Sequence, residues 1–283
     1  MAVIVLIILA LVQGAAELLP VSSSAHVIVA AQLLGIDVKD AKFHFLMVML
    51  HTGTMGAVII FFFARWKALL TADKARRNAF LANVVVATCV TGAVGLLLKH
   101  FIEHYVLSGG PIEDLFAHQE LIAAALVAVG VLIIFSAWRE TQIKKKIALT
   151  YSGSFVIGFM QGLCLPFRGF SRSGATISTG LILGLPKELA EEFSFALAVV
   201  LTPAIIAREA WRIVKPAGGE AHFHFELSLF LPGLAGMVLS FLSGWLALKF
   251  LSSWMEKGRW SYFGYYCLAL AGVVMMLKWK GGA

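Results

Sequence analysis

The sequence predicts an all-α integral membrane protein: six transmembrane helices plus two re-entrant helix-loop-helix hairpins in an inverted-topology repeat. Three observations carry that expectation. Hydrophobic residues make up 60% of the 283 and charged residues 14%, with a mean hydropathy of +0.87, far more apolar than a soluble domain of this size. The charges gather between apolar runs of about 20 residues, the length a helix needs to cross about 30 Å of hydrocarbon. The chain also repeats itself, with Gln13-Gly14 answered by Gln161-Gly162, Ser23 by Ser171, Phe45 by Phe193 and Thr54 by Thr202.

Taken in order, residues 1–36 form an apolar region broken near its middle by Pro, Gly and Ser, and 150–186 form another. Neither half of either region is long enough to cross alone. Backbone that leaves the helix at membrane depth survives only where protein or a cavity surrounds it, so both read as re-entrant hairpins. Clean spans are expected at roughly 43–64, 79–98, 120–138, 190–210, 226–248 and 261–279, with Trp66, Trp138, Trp211, Trp260 and Trp279 marking ends as interfacial aromatic belts do. Ten-residue alternating barrel strands are absent. One membrane domain thus covers 1–283, as halves 1–149 and 150–283, each a hairpin followed by three spans. Three is odd, so the second half enters the membrane from the opposite side, as in inverted-repeat transporters.

The net charge of +7 comes from basic residues in short loops, where they act as orientation signals, so no nucleic-acid partner is expected. With the loop 65–78 cytoplasmic, inner loops hold thirteen Lys and Arg against eight outside, Lys39 and Lys215 among the eight. Both termini and the mouth of the first hairpin then face outward. The N-terminus lacks the basic leader of a cleavable signal and is expected to stay in the mature protein. Cys89, Cys164 and Cys267 lie in apolar segments without metal spacing and read as small core hydrophobes.

Two polar stretches interrupt this apolar pattern: Gln13 to His26, and Arg168 to Thr176. An ionisable group in hydrocarbon costs roughly 2.5 kcal/mol or more, so these stretches are the candidate site. Gln13 and Glu17 are four apart and share one helix face, about 6 Å apart along the axis. They can reach one ligand or metal, with Glu17 either protonated or ionised beside a cation. Pro20 breaks the helix, and Ser22, Ser23 and Ser24 then offer hydroxyls and free amides at the start of a second short helix, where anions bind. His26 follows one turn on, able to accept a proton or to attack phosphorus. Arg172 is a permanently charged fork among Ser171, Ser173 and Thr176, matching phosphate bidentately, with Gly169 and Gly174 allowing close backbone approach. A P-loop is excluded, because no Lys follows the second Gly in a strand-to-helix context. His51, beside Thr52 and Thr54 in the first span, reads as a hydrogen-bonded span histidine, with a supporting place behind the site residues as the alternative; His104, His118, His222 and His224 fall in outer loops, and their spacing does not by itself support a zinc site. Cationic and hydroxyl donors with one carboxylate inside a bilayer point to a lipid phosphate or diphosphate.

At these residues the chain resembles the bacterial undecaprenyl-diphosphate phosphatases, also called bacitracin-resistance proteins. The family's Glu-or-Gln, three residues, Glu motif running into Leu-Pro-Val-Ser-Ser is met by Gln13, Glu17 and Leu19-Pro20-Val21-Ser22-Ser23, with His26 where the family has its histidine. Its Pro-Gly-x-Ser-Arg-Ser-x-x-Thr is met by Gly169-Phe170-Ser171-Arg172-Ser173-Gly174-Ala175-Thr176, and Glu192-Phe-Ser-Phe195 is also similar. The chain departs at Gln13, which leaves one carboxylate fewer for a metal, at Ala25 in place of Gly, and at Arg168 in place of Pro. Arg168 either helps hold the diphosphate or faces headgroups.

The resemblance implies hydrolysis of undecaprenyl diphosphate to the monophosphate and phosphate on the outer face of the bacterial cytoplasmic membrane. It further implies a Mg²⁺ or Ca²⁺ requirement, with Glu17 and Gln13 as metal ligands. The implied catalytic set is Glu17, Ser23, His26 and Arg172. Ser22, Ser24, Gly169, Ser171, Ser173 and Thr176, with Gln13, bind substrate. Serine, histidine and metal-bound water remain open as nucleophile. Expected partners are a polyprenyl diphosphate lipid and membrane lipids, with a homodimer left open. A polyprenyl-phosphate transporter using the same headgroup site is the alternative.

Overall fold

The structure is a computed structural model that describes residues 3–36, 41–110, 112, 115, 118–214 and 227–281. Lys39, Lys215, His222 and His224, assigned above to outer loops, lie outside them. Regular secondary structure among the described residues is helical throughout: α1 Val3–Leu18, α2 Ser23–Leu33, α3 Ala41–Leu70, α4 Lys74–Phe101 running into a π-turn at Ile102–Val106, α5 Gln119–Gln142, α6 Tyr151–Cys164, α7 Arg172–Leu183, α8 Lys187–Val214, α9 Leu227–Glu256 and α10 Ser261–Gly281. Six stretches are long and apolar enough to cross a membrane: Lys42–Leu70, Lys74–Val106, Gln119–Gln142, Lys187–Arg208, Phe230–Glu256 and Ser261–Trp279. The chain is a six-span, all-α membrane protein. The spans outrun the apolar segments because a helix ends at its stop and cap signals rather than where apolar residues end. Thus α3 continues through Arg65, Trp66 and Lys67, and α4 begins only where the Asp73 carboxylate accepts from the Arg76 amide at 2.9 Å.

Both broken regions form pairs of short helices. At 16 residues, α1 is about 24 Å long, short of the hydrocarbon thickness, and α2, α6 and α7 are shorter still. Such lengths are compatible with hairpins. The element order, two short helices and then three long ones, occurs twice.

By internal contacts the chain forms two compact units: Met1–Leu19, Ser23–Phe63 and Ala198–Phe250 in the first, Pro20–Ser22, Ala64–Leu197 and Leu251–Ala283 in the second. The first unit's apolar centre is Leu6, Leu9, Ala10, Val27, Phe43, Leu46 and Leu50. Here α1 and α9 nearly touch: a Cβ on Gly14 would lie 2.6 Å from the Ser240 carbonyl. Hydroxyls tie α9 to both neighbours, Ser243 donating to the Leu11 carbonyl of α1 and Ser240 to the Leu50 carbonyl of α3, each at 2.9 Å. Small residues and hydroxyls are how helices associate in lipid, where burial of apolar surface gives no net drive.

The second unit uses the same device between α4 and α6. A Cβ on Gly158 would fall 2.4 Å from the Ala87 carbonyl. Thr91 donates across the seam to Gly158, Gln161 donates to Thr91, and Ser154 donates to Asn83 at 2.8 Å. Two sequence expectations change here. Trp260 is not a belt residue but 2% exposed, because its Nε1 finds the hydroxyls of Ser136 and Ser178 inside the protein; Trp138, Trp211 and Trp279 are exposed. Cys164 and Cys267 are buried, but Cys89 is exposed on an apolar helix.

Gly158→Val is expected to lower the unfolding midpoint of the protein in detergent by several degrees, since overpacking against backbone costs about 1–3 kcal/mol. Gly92→Ala, where nothing lies near the added carbon, is the control and should melt like the parent by circular dichroism.

Candidate functional site

The first polar stretch builds a hydrogen-bonded network in the first unit. Gln13 and Glu17 sit on the last turns of α1, and Ser23 opens α2. In an unbroken helix Ser23 would stand about 9 Å further along the axis and on another face. The break at Pro20 returns it instead, and its hydroxyl donates to Glu17 Oε2 at 2.6 Å. Gln13 Nε2 donates to the same oxygen at 3.1 Å. Gln13 is 1% exposed, and the side chains of Glu17 and His51 are 12% and 13% exposed. His51, from the middle of α3, places Nε2 at 3.3 Å from Gln13 Nε2 and Nδ1 at 2.8 Å from the Met47 carbonyl. Ser24 and His26 lie half-buried on the first turn of α2.

The second stretch lies in the second unit. Gly169 has φ of 102°, a left-handed conformation that costs a non-glycine residue dearly. A Cβ there would also lie 2.4 Å from the Ile122 carbonyl of α5. This turn delivers Ser171 as the N-cap of α7, its Oγ accepting from the Gly174 amide at 3.2 Å. Arg172 and Ser173 follow as the first residues of the helix, Arg172 half-buried and Ser173 buried within 3.3 Å of the Ser171 hydroxyl. Thr176 donates to the Arg172 carbonyl at 2.9 Å and lies 2.5 Å from the Ser194 hydroxyl of α8. Because the Thr176 hydrogen is used on the carbonyl, Ser194 is the donor in that pair. Ser194 thus props up the first turn of α7. Arg168 is half-buried in the turn before it.

The loop of the first stretch, Pro20–Ser22, also belongs to the second unit. The Pro20 carbonyl lies 3.2 Å from where a Gly174 Cβ would be, and the Cys267 thiol donates to it at 3.5 Å. Ser22 is 5% exposed with φ of 67°, a strained conformation for a non-glycine residue that persists only where its surroundings enforce it.

Gln13, Glu17 and Ser23 therefore form one bonded group, and Ser171, Ser173 and Thr176 with Arg172 form another. Sequence reasoning missed one member and left another between two readings. His51 reads from sequence as a bonded span histidine or as a support to the site; its Nδ1 bond to Met47 fits the first and its Nε2 facing Gln13 fits the second. Ser194 lay in plain view within Glu192-Phe-Ser-Phe195. Among the described residues no group of three or more His, Cys, Asp or Glu could hold a metal ion. A divalent cation fits only by sharing: Mg²⁺ is commonly held by one or two carboxylates together with a substrate's phosphates, and Glu17 is such a carboxylate.

Fold and site together define a polytopic membrane protein whose broken helices carry a half-buried acid, hydroxyls and a guanidinium. The chain belongs to the bacitracin resistance protein BacA family, whose model matches residues 6–273. Undecaprenyl-diphosphatase 2 of Acinetobacter baylyi is 52% identical over 276 residues, 95% of this chain and 96% of the relative. Undecaprenyl-diphosphatase 2 of Burkholderia orbicola is 34% identical over 285 residues, covering 95% and 94%. Undecaprenyl-diphosphatase of Fusobacterium nucleatum is 30% identical over 278 residues, covering 96% and 98%.

Ser194→Ala should cost about 1 kcal/mol of stability and speed amide hydrogen exchange in the first turn of α7. Ser194→Thr, which restores the donor, should return exchange to the parent rate.

Proposed function

We propose that this protein hydrolyses undecaprenyl diphosphate to undecaprenyl phosphate and inorganic phosphate, using Ser23 as nucleophile and Glu17 as its base. The observation that carries this reading is the 2.6 Å bond from the Ser23 hydroxyl to Glu17, a nucleophile already aimed at its proton acceptor. The relatives named for this activity align over almost the whole chain.

In the first step Ser23 Oγ attacks the terminal phosphorus and its proton passes to Glu17 Oε2. The bond from that phosphorus to the bridging oxygen breaks, undecaprenyl phosphate leaves and takes up the proton from Glu17, and the terminal phosphoryl group stays on Ser23. Water then attacks the same phosphorus, Glu17 takes a proton from it and returns one to Ser23 Oγ, and phosphate departs. Arg172, with the capped first turn of α7, neutralises the diphosphate, since helix N-termini and guanidinium groups both favour phosphate oxygens. Ser22, Ser24, Gly169, Ser171, Ser173 and Thr176 bind the headgroup around it, and His26 serves the leaving or attacking oxygen. When bound to Glu17 and Gln13, Mg²⁺ or Ca²⁺ would withdraw charge from the phosphates. The reaction takes place at the outer face of the bacterial cytoplasmic membrane, in keeping with the excess of basic residues on the opposite loops.

Purified protein given undecaprenyl diphosphate labelled in its terminal phosphate should release phosphate and, when quenched rapidly, carry label on Ser23. Ser23→Ala and Glu17→Gln should each lower kcat by about 10²–10⁴-fold, the usual worth of such groups. A well-folded Ser23→Ala protein of parental activity would overturn the nucleophile. Separately, Arg172→Ala is expected to lower kcat/KM by at least about 100-fold while unfolding near the parent temperature, as measured by phosphate release and thermal melts. Headgroup binding without hydrolysis by the parent protein would favour a lipid carrier instead.

A further inference from the structure

We infer that His51 is a positioning residue: it sets the orientation of the Gln13 amide, and through that amide the orientation of the Glu17 carboxylate toward the Ser23 hydroxyl. The inference rests on the reaction proposed above and adds a residue to it.

The tautomer of His51 follows from its partners. A carbonyl oxygen can only accept, so the 2.8 Å contact with Met47 places the ring hydrogen on Nδ1. The neutral ring then presents Nε2 as a bare lone pair. Glu17 Oε2, as a carboxylate oxygen, likewise only accepts. The single nitrogen Nε2 of Gln13 lies 3.3 Å from the first acceptor and 3.1 Å from the second, and an NH₂ group has two hydrogens to give. Each acceptor is matched by one hydrogen. A flipped amide would set its oxygen against two acceptors at once.

Gln13 is 1% exposed, so water does not stand in for a lost partner. His51 Nε2 is 3.9 Å from Glu17, too far for a direct hydrogen bond, so its influence on the carboxylate runs through Gln13. Without His51 one hydrogen of the amide is orphaned and the flip is no longer opposed. A flipped amide turns an oxygen toward Glu17 Oε2 in place of a donor, so the carboxylate loses the bond that fixes its orientation toward the Ser23 hydroxyl. The chain of bonds runs Met47 carbonyl, His51, Gln13, Glu17, Ser23, with every hydrogen assigned.

The test uses His51→Phe, His51→Gln, Gln13→Leu and the double variant His51→Phe/Gln13→Leu in the full-length protein. His51→Phe should lower kcat about 10- to 100-fold, the factor corresponding to one lost hydrogen bond to a charged network, with KM within about threefold of the parent. His51→Gln, whose amide oxygen reaches the place of Nε2, should recover kcat to within about fivefold. The double variant should fall no further than Gln13→Leu alone, because both changes cut the same chain. Parental kcat in folded His51→Phe, additive losses in the double variant, or no recovery with Gln would each overturn the inference. Nitrogen-15 NMR of labelled histidine, assigned by the signal lost in His51→Gln, reads the geometry without turnover. An unprotonated Nε2 that shifts on Gln13→Leu supports the inference, and a protonated Nε2 overturns it. If the parent releases no phosphate, the proposed reaction fails, while this spectrum still decides the hydrogen-bond chain.

Discussion

A carboxylate enclosed by an apolar protein has to be met by donors, because desolvation of an unmatched charge costs more than a single domain's stability margin allows. Glu17 is that group here, and the local backbone is shaped around it. One donor, Gln13, comes from the preceding turn of the same helix. A second, Ser23, lies six residues on and reaches it only because α1 stops at Leu18 and α2 starts afresh at Ser23. The break at Pro20 is thus part of the chemistry, not a defect in a span. A continuous helix would satisfy its own backbone and leave the acid with one donor fewer.

Breaking a helix in an apolar setting raises a second problem, the free backbone groups at the break. In the second stretch Ser171 answers it by capping the Gly174 amide, and the loop Pro20–Ser22 answers it in part by packing, with the Cys267 thiol donating to Pro20. Close helix contacts supply the rigidity that strained turns require. The left-handed turn at Gly169 is pressed against α5, and the first turn of α7 is propped from α8 through Ser194 and Thr176. Serines and threonines serve both roles, crossing between helices in the scaffold and capping or bracing helix starts in the site. Their abundance in so apolar a chain has that double origin.

The number and rough limits of the spans, the two broken regions, and the residues at which they break were all legible in the amino-acid sequence. Each depends on local chemistry: an apolar run long enough to cross, a proline that removes a donor, a serine able to cap, an arginine that cannot be neutral. Gln13 and Glu17 on one helix face followed from spacing alone. The family resemblance rested on those same residues, and the match of the chain to the family model has the same source.

Whatever required two distant segments to meet was decided by tertiary structure. His51 is 38 residues from Gln13, and a histidine within an apolar span looks the same in sequence whether its second nitrogen meets a lipid tail or an amide. Ser194 and Thr176 pair across 18 residues, and Trp260 looked like a belt residue until two serines from other helices received its Nε1. Sequence by itself determined which polar groups this apolar chain must carry, because hydropathy and helix geometry act residue by residue. Only the folded chain decided which partner each group faces, because hydrogen-bond direction depends on where a second, independently placed helix presents its donor or its lone pair.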